Sequence, residues 1–275
     1  MKTSLDILMI GDSWGYSWLP ADHFSSKGVT DNLVMFKNVG KHSQFSVLEH
    51  VLTLLKHNVT NKCQPGSANS HAIGEFEKSS YLKYDMVIWF KTDPVRDLYN
   101  YHKHGLKENA KPVNEKFKNF TKTEFLSWIK RQSLNTYNAI NEISHTHHNS
   151  IPVLFLGGGG RIYTDMFEKI GSKKYPSICH LGTDSIMEYL CKKEPNGINV
   201  KQGYSTLASW TPYLEYEKCK PSLVDFLYEE DKQQKLNFNN DVYKSWFAPD
   251  PYHPNPGAVY VIADLIEQFI ENYFN

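Results

Sequence analysis

The stretch LDILMIGDSW, at residues 5–14, decides the fold that we expect for this chain. A mostly apolar run stops abruptly at Gly11, as in a buried strand that ends in a tight turn. A serine, Ser13, follows this turn almost at once. We therefore interpret residues 5–10 as a buried strand and Ser13 as a residue just beyond its carboxyl end.

Apolar runs and helical stripes alternate along the rest of the chain. Such an alternation predicts an α/β fold in which a parallel sheet is covered by helices on both faces. Residues 58–80 are polar, and we interpret them as a loop. Further strands are predicted at residues 33–36, 84–90 and 151–156, and helices at residues 45–55, 121–145, about 183–192, about 221–235 and from 255 to the end.

Capping residues support three of these helices. Ser46 with Glu49, and Thr121 with Glu124, match the capping box in which the two side chains bond to each other's backbone N–H groups. Asn255 stands directly before a proline, an arrangement that suits an N-cap followed by the first helical position.

The length of 275 residues and the 40% hydrophobic content allow one large domain. We found no repeat or low-complexity linker, so we predict a single domain over residues 1–275. Residues 97–120 show little periodicity, and residues 161–248 contain two of the predicted helices among turns. Both stretches are interpreted as insertions, the second of them a long one before the last helix.

The charges balance, with 30 basic and 30 acidic residues. This balance argues against a nucleic-acid-binding protein, which usually carries a basic excess. No apolar run approaches the roughly 20 residues that a membrane-spanning helix requires. The N-terminus does not resemble a secretory signal, so we predict a cytoplasmic protein, with a viral or exported origin left open.

Ser13, Asp250 and His253 are the residue types that catalysis by a serine nucleophile requires. A serine hydroxyl needs a base within hydrogen-bond reach, and the base needs a group that orients it. His253 lies in the sequence DPYHP, residues 250–254, just before the last helix. Asp250 precedes it by three residues on the same loop, close enough to orient the imidazole, and the prolines of this loop stiffen it.

The loops after the predicted strands should meet at one edge of the sheet. Ligands of parallel sheets bind beyond the carboxyl ends of the strands. These loops comprise residues 11–13, 38–40, 91–93 and the four-glycine run 157–160.

The motif GDSW at residues 11–14 and the motif DPYHP at residues 250–254 resemble the first and last blocks of the SGNH (GDSL-type) hydrolases. The segment NVGKHS at residues 38–43 resembles the second block. The resemblance implies a flavodoxin-like three-layer sandwich. It also implies that Ser13 is the nucleophile, His253 the base and Asp250 its orienting acid. The backbone N–H groups of Ser13 and Gly40 would then stabilise the oxyanion.

The third block departs from the family pattern Gly-x-Asn-Asp. This chain has Lys91-Thr92-Asp93-Pro94, so Asp93 takes the place of the asparagine that donates to the oxyanion. An ionised carboxylate donates no hydrogen bond, and the loss of one oxyanion donor costs about 100- to 1000-fold in rate. Three explanations stay open. Asp93 is protonated in a desolvated pocket, or another donor such as Thr92, Lys91 or the backbone of residues 157–160 replaces it, or the site is weak or inactive.

Trp14, Gly158 and Arg161 are candidates for substrate binding. The Trp14 ring could stack on a sugar or an acyl chain, and ordinary core packing is the alternative. Gly158 belongs to the four-glycine run, which lacks the spacing of phosphate-binding and dinucleotide-binding loops and could simply be a flexible loop. Arg161 could hold an anion. The histidines of residues 145–148 are interpreted as polar groups at a helix end, so no metal site is predicted.

These inferences lead to a serine ester hydrolase that forms an acyl-enzyme and needs no cofactor or metal. The preferred substrate is a small-molecule or glycan ester with a short acyl group, such as a carbohydrate O-acetyl ester. One alternative is an acyltransferase that uses the same triad. The other is a catalytically weak carbohydrate-binding or structural module. The sequence leaves the oligomeric state open.

Overall fold

The computed structural model describes residues 4–16, 47–64, 67–79, 83–98, 114–147, 150–157, 177–180, 185–193, 197–198, 218–247 and 253–274. The strands in these ranges are β1 (Asp6–Gly11), β2 (Asn58–Asn61), β3 (Met86–Lys91), β4 (Val153–Gly157) and β5 (Ile178–Cys179). The helices are α1 (Ser13–Tyr16), α2 (Val47–Leu54), α3 (Asn69–Lys78), a 3-10 helix (Pro94–Leu98), α4 (Lys122–His147), α5 (Ile186–Lys193), α6 (Pro221–Asn239), α7 (Asp241–Phe247) and α8 (Pro256–Phe274).

The five strands form one parallel sheet in the order β2-β1-β3-β4-β5. This order is that of the flavodoxin-like doubly wound fold, in which ligands bind beyond the carboxyl ends of β1 and β3. The register pairs Gly11 with Phe90, and Lys91 with Gly157. The loops that follow β1, β3 and β4 therefore leave the sheet along the same edge.

Two apolar layers cover the sheet and confirm the three-layer sandwich. Successive strand residues point to opposite faces. On one face, Met9 and Ile88 belong to a cluster that includes residues of α2, α5, α7 and α8. On the other face, Ile10 and Trp89 belong to a cluster with residues of α3 and α4. Because both faces are covered, the central strands are continuously apolar over residues 7–10, 86–90 and 153–156.

The predictions for the central strands and the long helices are confirmed. The three strands predicted first, third and fourth along the chain correspond to β1, β3 and β4 within two residues at either end. The capping box of Thr121 and Glu124 is formed, since Thr121 N donates to Glu124 Oε2 at 2.7 Å and Glu124 N donates to Thr121 Oγ1 at 3.3 Å. The Asn255 cap is formed too, since Ala258 N donates to its Oδ1 at 3.0 Å.

The prediction of a loop over residues 58–80 is wrong. The segment contains the edge strand β2 and the helix α3. Only Val59 is apolar in β2, so the strand shows no alternating pattern. Helix α3 buries only Asn69, Ala72 and Phe76, which is too narrow an apolar stripe to stand out in the sequence. The predicted strand at 33–36 lies outside the described residues.

Helix α2 ends earlier than predicted. A helix was predicted as far as residue 55, but it stops at Leu54, and Leu55 is 41% exposed. Strand β5 and helix α7 were not predicted at all. Both belong to the segment 161–248, whose described part also contains α5 and α6 close to their predicted positions.

A third apolar cluster joins this segment to the rest of the domain. Leu223 and Leu227 of α6 pack with Phe125 and Trp128 of α4, and Phe117 is buried between them. The described part of the long insertion therefore packs against the sandwich. No helix among the described residues is long and apolar enough to cross a membrane.

Candidate active site

Ser13 lies at the carboxyl end of β1, where a glycine brings the chain close to its neighbour. Gly11 has a φ of +127°, and a Cβ atom built there would lie 2.2 Å from the carbonyl oxygen of Phe90 on β3. Only glycine fits such a backbone conformation and such a close approach. The turn that follows places Ser13 at the first position of α1, where Ser13 is only 7% exposed.

His253 brings the other end of the chain to this serine. Its Nε2 lies 2.7 Å from the Ser13 Oγ, although the two residues are 240 positions apart in sequence. His253 is held just before α8, where Asn255 caps the helix and also donates from Nδ2 to the Ser245 carbonyl at 2.7 Å. With the proton on Nδ1, Nε2 can accept the hydroxyl proton of Ser13, which is the arrangement of a general base and its nucleophile.

The backbone next to Ser13 is shaped by Asp12. Its Oδ1 accepts a hydrogen bond from the Trp14 N–H at 3.0 Å, which folds the turn across Ser13. Within the described part of the chain, no hydrogen bond is made by the Ser13 N–H itself. This amide is therefore a candidate donor to an oxyanion.

Asp12 is buried beside a cation that the sequence analysis did not single out. The residue is 2% exposed, and burial raises the pKa of its carboxyl group. Arg96 opposes this rise, because its Nη1 lies 3.7 Å from Asp12 Oδ2. Arg96 belongs to the 3-10 helix after β3. One signal could have found it: it is a rare arginine, one of three in the chain, close behind a strand end at the expected edge.

The end of β3 and the loop that follows it carry buried ionisable groups of both signs. Lys91 is fully buried, and burial lowers the pKa of its ammonium group to about 8, against the pull of the Asp93, Asp97 and Asp12 carboxylates. Burial raises the pKa of Asp93 to about 6, against the influence of Lys91 and Arg96. The Asp93 carboxyl group is thus neutral, and able to donate a hydrogen bond, below about pH 6.

Asn69 holds this loop from helix α3. Its Oδ1 accepts from the Thr92 N–H at 3.1 Å, and its Nδ2 donates to the Thr92 carbonyl at 2.9 Å. The side-chain amide thus occupies both polar groups of one buried peptide residue, as a neighbouring strand would. The sequence analysis missed Asn69 because it treated residues 58–80 as a loop.

The structure brings together some of the predicted site residues and not others. Ser13 and His253 are in direct contact, and Asp93 lies in the loop at the adjacent strand end. Trp14 is 4% exposed and packs in the core with its ring centroid 5.9 Å from that of Phe247, which favours the packing alternative over substrate stacking. The remaining predicted residues, Gly40, Gly158, Arg161 and Asp250, lie outside the described residues. Among the residues that are described, no group of three histidine, cysteine or acidic side chains could hold a metal ion.

No protein-family model matches the sequence, and no curated protein is significantly similar to it. Solved structures do match over nearly the whole chain. A psychrotrophic esterase from Pseudoalteromonas sp. is 10% identical over 100% of both chains, with a TM-score of 0.43. A GDSL-like lipase from Bacteroides thetaiotaomicron is 8% identical over 98% of this chain and 88% of its own, with a TM-score of 0.37. A possible lipase from Chitinophaga pinensis is 12% identical over 98% of each chain, with a TM-score of 0.42.

At such low identity, the chemistry of this chain has to be argued from its own residues. Its strand order is the flavodoxin-like one, with Ser13 two residues after the end of β1 and His253 three residues before the last helix. The chain therefore has an α/β fold with a parallel, flavodoxin-like sheet, which agrees with the fold that its first and last motifs predict.

Proposed function

We propose that this protein is a serine ester hydrolase. The observation that carries the proposal is the 2.7 Å separation between His253 Nε2 and Ser13 Oγ. A serine and a histidine from opposite ends of the chain meet at the edge of the sheet where parallel α/β folds bind their ligands. Hydrogen-bond contact between a hydroxyl and an imidazole is the basic requirement for activating a serine.

In the proposed reaction, Ser13 Oγ attacks the carbonyl carbon of the ester while His253 Nε2 takes the hydroxyl proton. The Ser13 N–H, together with the Gly40 N–H implied by the resemblance, donates to the developing oxyanion. The intermediate then collapses, the bond to the alcohol oxygen breaks, and His253 returns the proton to that oxygen. Asp250 would orient the imidazole and stabilise its protonated form.

Water completes the proposed cycle. His253 takes a proton from a water molecule, whose oxygen attacks the acyl-enzyme carbonyl. Collapse of this second intermediate releases the carboxylic acid and returns the proton to Ser13. The reaction needs no redox step.

For the substrate, we propose an ester with a short acyl group, such as an acetylated carbohydrate. The small exposed fraction of Ser13, 7%, favours a small acyl group over a long chain at the nucleophile. Trp14, the next residue along the chain, is buried and packs against Phe247 with ring centroids 5.9 Å apart.

The proposal is tested by hydrolysis of p-nitrophenyl acetate, butyrate and octanoate. We expect the wild type to hydrolyse the acetate with the highest kcat/KM and Ser13→Ala to be inactive. Ser127→Ala, which changes an exposed serine on α4, is the matched control and should keep wild-type activity. A preference for octanoate would overturn the short-acyl proposal, and equal rates in wild type and Ser13→Ala would overturn the serine hydrolase.

The same assay tests how Asp93 takes part. An ionised Asp93 next to the oxyanion would lower the rate above about pH 6, where its carboxyl group loses its proton. We expect Asp93→Asn, which restores an amide donor, to be faster than the wild type above that pH. If Asp93→Asn is slower at every pH, another group provides the oxyanion donor and Asp93 has a different role.

A further inference from the structure

The two carboxylate oxygens of Asp12 face different groups. Oδ1 accepts from the Trp14 N–H at 3.0 Å and so closes the turn that contains Ser13. Oδ2 lies 3.7 Å from Nη1 of Arg96. Asp12 therefore links the backbone of the nucleophile's turn to a cation on the neighbouring loop after β3.

Arg96 is held in place by its own short helix. The backbone N–H of Arg96 donates to the Asp93 carbonyl at 3.0 Å, and the Arg96 side chain is 22% exposed. Nε and Nη1 are buried and have no hydrogen-bond partner among the described residues. The interaction of Nη1 with Asp12 at 3.7 Å is thus one of charge with charge rather than a hydrogen bond.

The positive charge of Arg96 matters for Asp12 because the other main influence on that carboxyl group is its burial. Burial, the largest influence, disfavours its ionised form, and Arg96 is the largest influence in the opposite direction. The Trp14 N–H, the Thr92 side chain and His253 also favour the ionised form, to a smaller extent. Two further groups sense its charge: it favours the protonated forms of Lys91 on β3 and of Cys63 after β2.

We infer that Arg96 is a positioning residue for the nucleophile: its guanidinium faces the Asp12 carboxylate, and that carboxylate holds the turn that presents Ser13. This inference rests on the proposed function and adds a residue that the motifs do not contain. A neutral Asp12 would accept a weaker hydrogen bond from Trp14 N–H, because bonds to charged acceptors are about twice as strong. The Ser13 hydroxyl and N–H would then be less well aligned with the substrate.

The experiment measures kcat and KM for p-nitrophenyl acetate between pH 5 and pH 9. The variants are Arg96→Gln, Arg96→Lys, Asp12→Asn and the double variant Asp12→Asn/Arg96→Gln. Arg131→Gln is the matched control, because Arg131 is an exposed arginine on α4. Circular dichroism melting curves verify that each variant is folded, and Arg96→Lys keeps the question testable if Arg96→Gln does not fold.

We expect Arg96→Gln to move the acidic limb of the kcat profile to higher pH by about one unit, because a nearby opposite charge favours the ionised form of a carboxyl group. On that limb kcat would be about tenfold lower, with little change in KM. The same change in the Asp12→Asn background should move the limb no further, whereas a direct effect of Arg96 on the base His253 would move it there as well. Arg96→Lys, which keeps the charge, should keep the limb near its wild-type position. The double variant should be no slower than Asp12→Asn alone, because without the carboxylate Arg96 has nothing to keep ionised.

Three results would overturn the inference without touching the proposed function. They are an unmoved acidic limb in Arg96→Gln, a uniform loss at all pH values that Arg96→Lys shares, and additive losses in the double variant. Reaction of the wild type with a fluorophosphonate probe distinguishes failure of the inference on Arg96 from failure of the proposed function. If Ser13 in the wild type is not labelled, the proposed function fails and this inference fails with it.

Discussion

At the scale of single residues, Asp93 makes the free energy of unfolding depend on pH. Its carboxyl group is buried, and its pKa rises from 3.8 to about 6 in the folded protein. The folded protein therefore binds this proton more tightly than the unfolded chain does. The contribution of Asp93 to the free energy of unfolding is most favourable below pH 3.8, and it declines as the pH rises to about 6.

The Asp93→Asn variant should lose this decline. One pKa unit corresponds to about 1.4 kcal/mol, so the difference in the free energy of unfolding between the wild type and the variant should change by about 2 kcal/mol between pH 4 and pH 7. Urea unfolding at these two pH values measures it, and subtracting the variant from the wild type removes the contributions of other carboxyl groups. A constant difference between the two proteins would mean that Asp93 is not desolvated as described.

Asn69 is a second residue whose role depends on burial. In Asn69→Ala, the buried Thr92 N–H and C=O lose the partners that the amide provides. Each unsatisfied buried group costs about 1–3 kcal/mol, so we expect a loss of about 2–4 kcal/mol in the free energy of unfolding, measured with urea. The exposed Asn119 gives a control, Asn119→Ala, that should change stability by less than about 0.5 kcal/mol. Equal values for both variants would contradict the role assigned to Asn69.

At the scale of elements, the start of α8 determines where His253 lies. Asn255 caps this helix through Oδ1 and is tied to α7 through Nδ2 and through its own N–H, which donates to the Trp246 carbonyl at 2.8 Å. His253 precedes this fixed point by two residues. Its approach to Ser13 therefore depends on how α7 and α8 meet.

We expect Asn255→Ala to cost about 1–2 kcal/mol in stability and to lower esterase activity in the folded protein. The serine side chain of Asn255→Ser keeps a capping oxygen but is too short to reach the Ser245 carbonyl. Compared with Asn255→Ala, this variant should therefore regain more of the lost stability than of the lost activity. Thermal melts and kcat/KM for p-nitrophenyl acetate measure the two effects. If Asn255→Ser recovers both fully, the bond to α7 does not help to place His253.

The elements that are predictable from sequence have strong local signals. The central strands β1, β3 and β4 are continuous apolar runs because they are buried on both faces. The capping box of α4 is formed by Thr121 and Glu124, which are only three residues apart in the sequence. By contrast, β2 is a half-exposed edge strand, and it forms because β1 offers it a hydrogen-bonding partner rather than because its residues favour a strand.

The same distinction applies to the candidate site. Ser13 and His253 are recognisable because each lies in a short motif beside a predictable element. Arg96 and Asn69 act through contacts between β1, β3 and α3 that become visible only when the strand order is known. The residue that replaces the family's asparagine, Asp93, is visible in the sequence, but its burial is not.

At the scale of the whole molecule, the site joins the two ends of the chain. The first strand carries Ser13, and the last helix follows His253 and packs on the sheet through Ile262 and Ile266. The serine and the histidine thus meet only when the sandwich is complete. We expect urea to abolish esterase activity and the far-ultraviolet circular dichroism signal at the same concentration.

Ile266→Ala should test this coupling. Ile266 is fully buried, and truncating such a side chain costs about 2–5 kcal/mol. The urea concentrations at which esterase activity and the circular dichroism signal are lost should therefore fall together. The kcat of the folded protein should not change. Tyr260→Ala, at a residue 46% exposed on the same helix, should move them little. Loss of activity well before loss of the circular dichroism signal would mean that the site opens without unfolding.

The central claim is that Ser13 is a nucleophile activated by His253. Fluorophosphonate labelling followed by peptide mass spectrometry tests it most directly, because the probe reacts covalently with an activated serine whatever the natural substrate is. We predict that the wild type is labelled on the peptide that contains Ser13, that His253→Ala is labelled far more slowly, and that Ser13→Ala is not labelled. An unlabelled wild type, or a label on another residue that survives in Ser13→Ala, would contradict the claim.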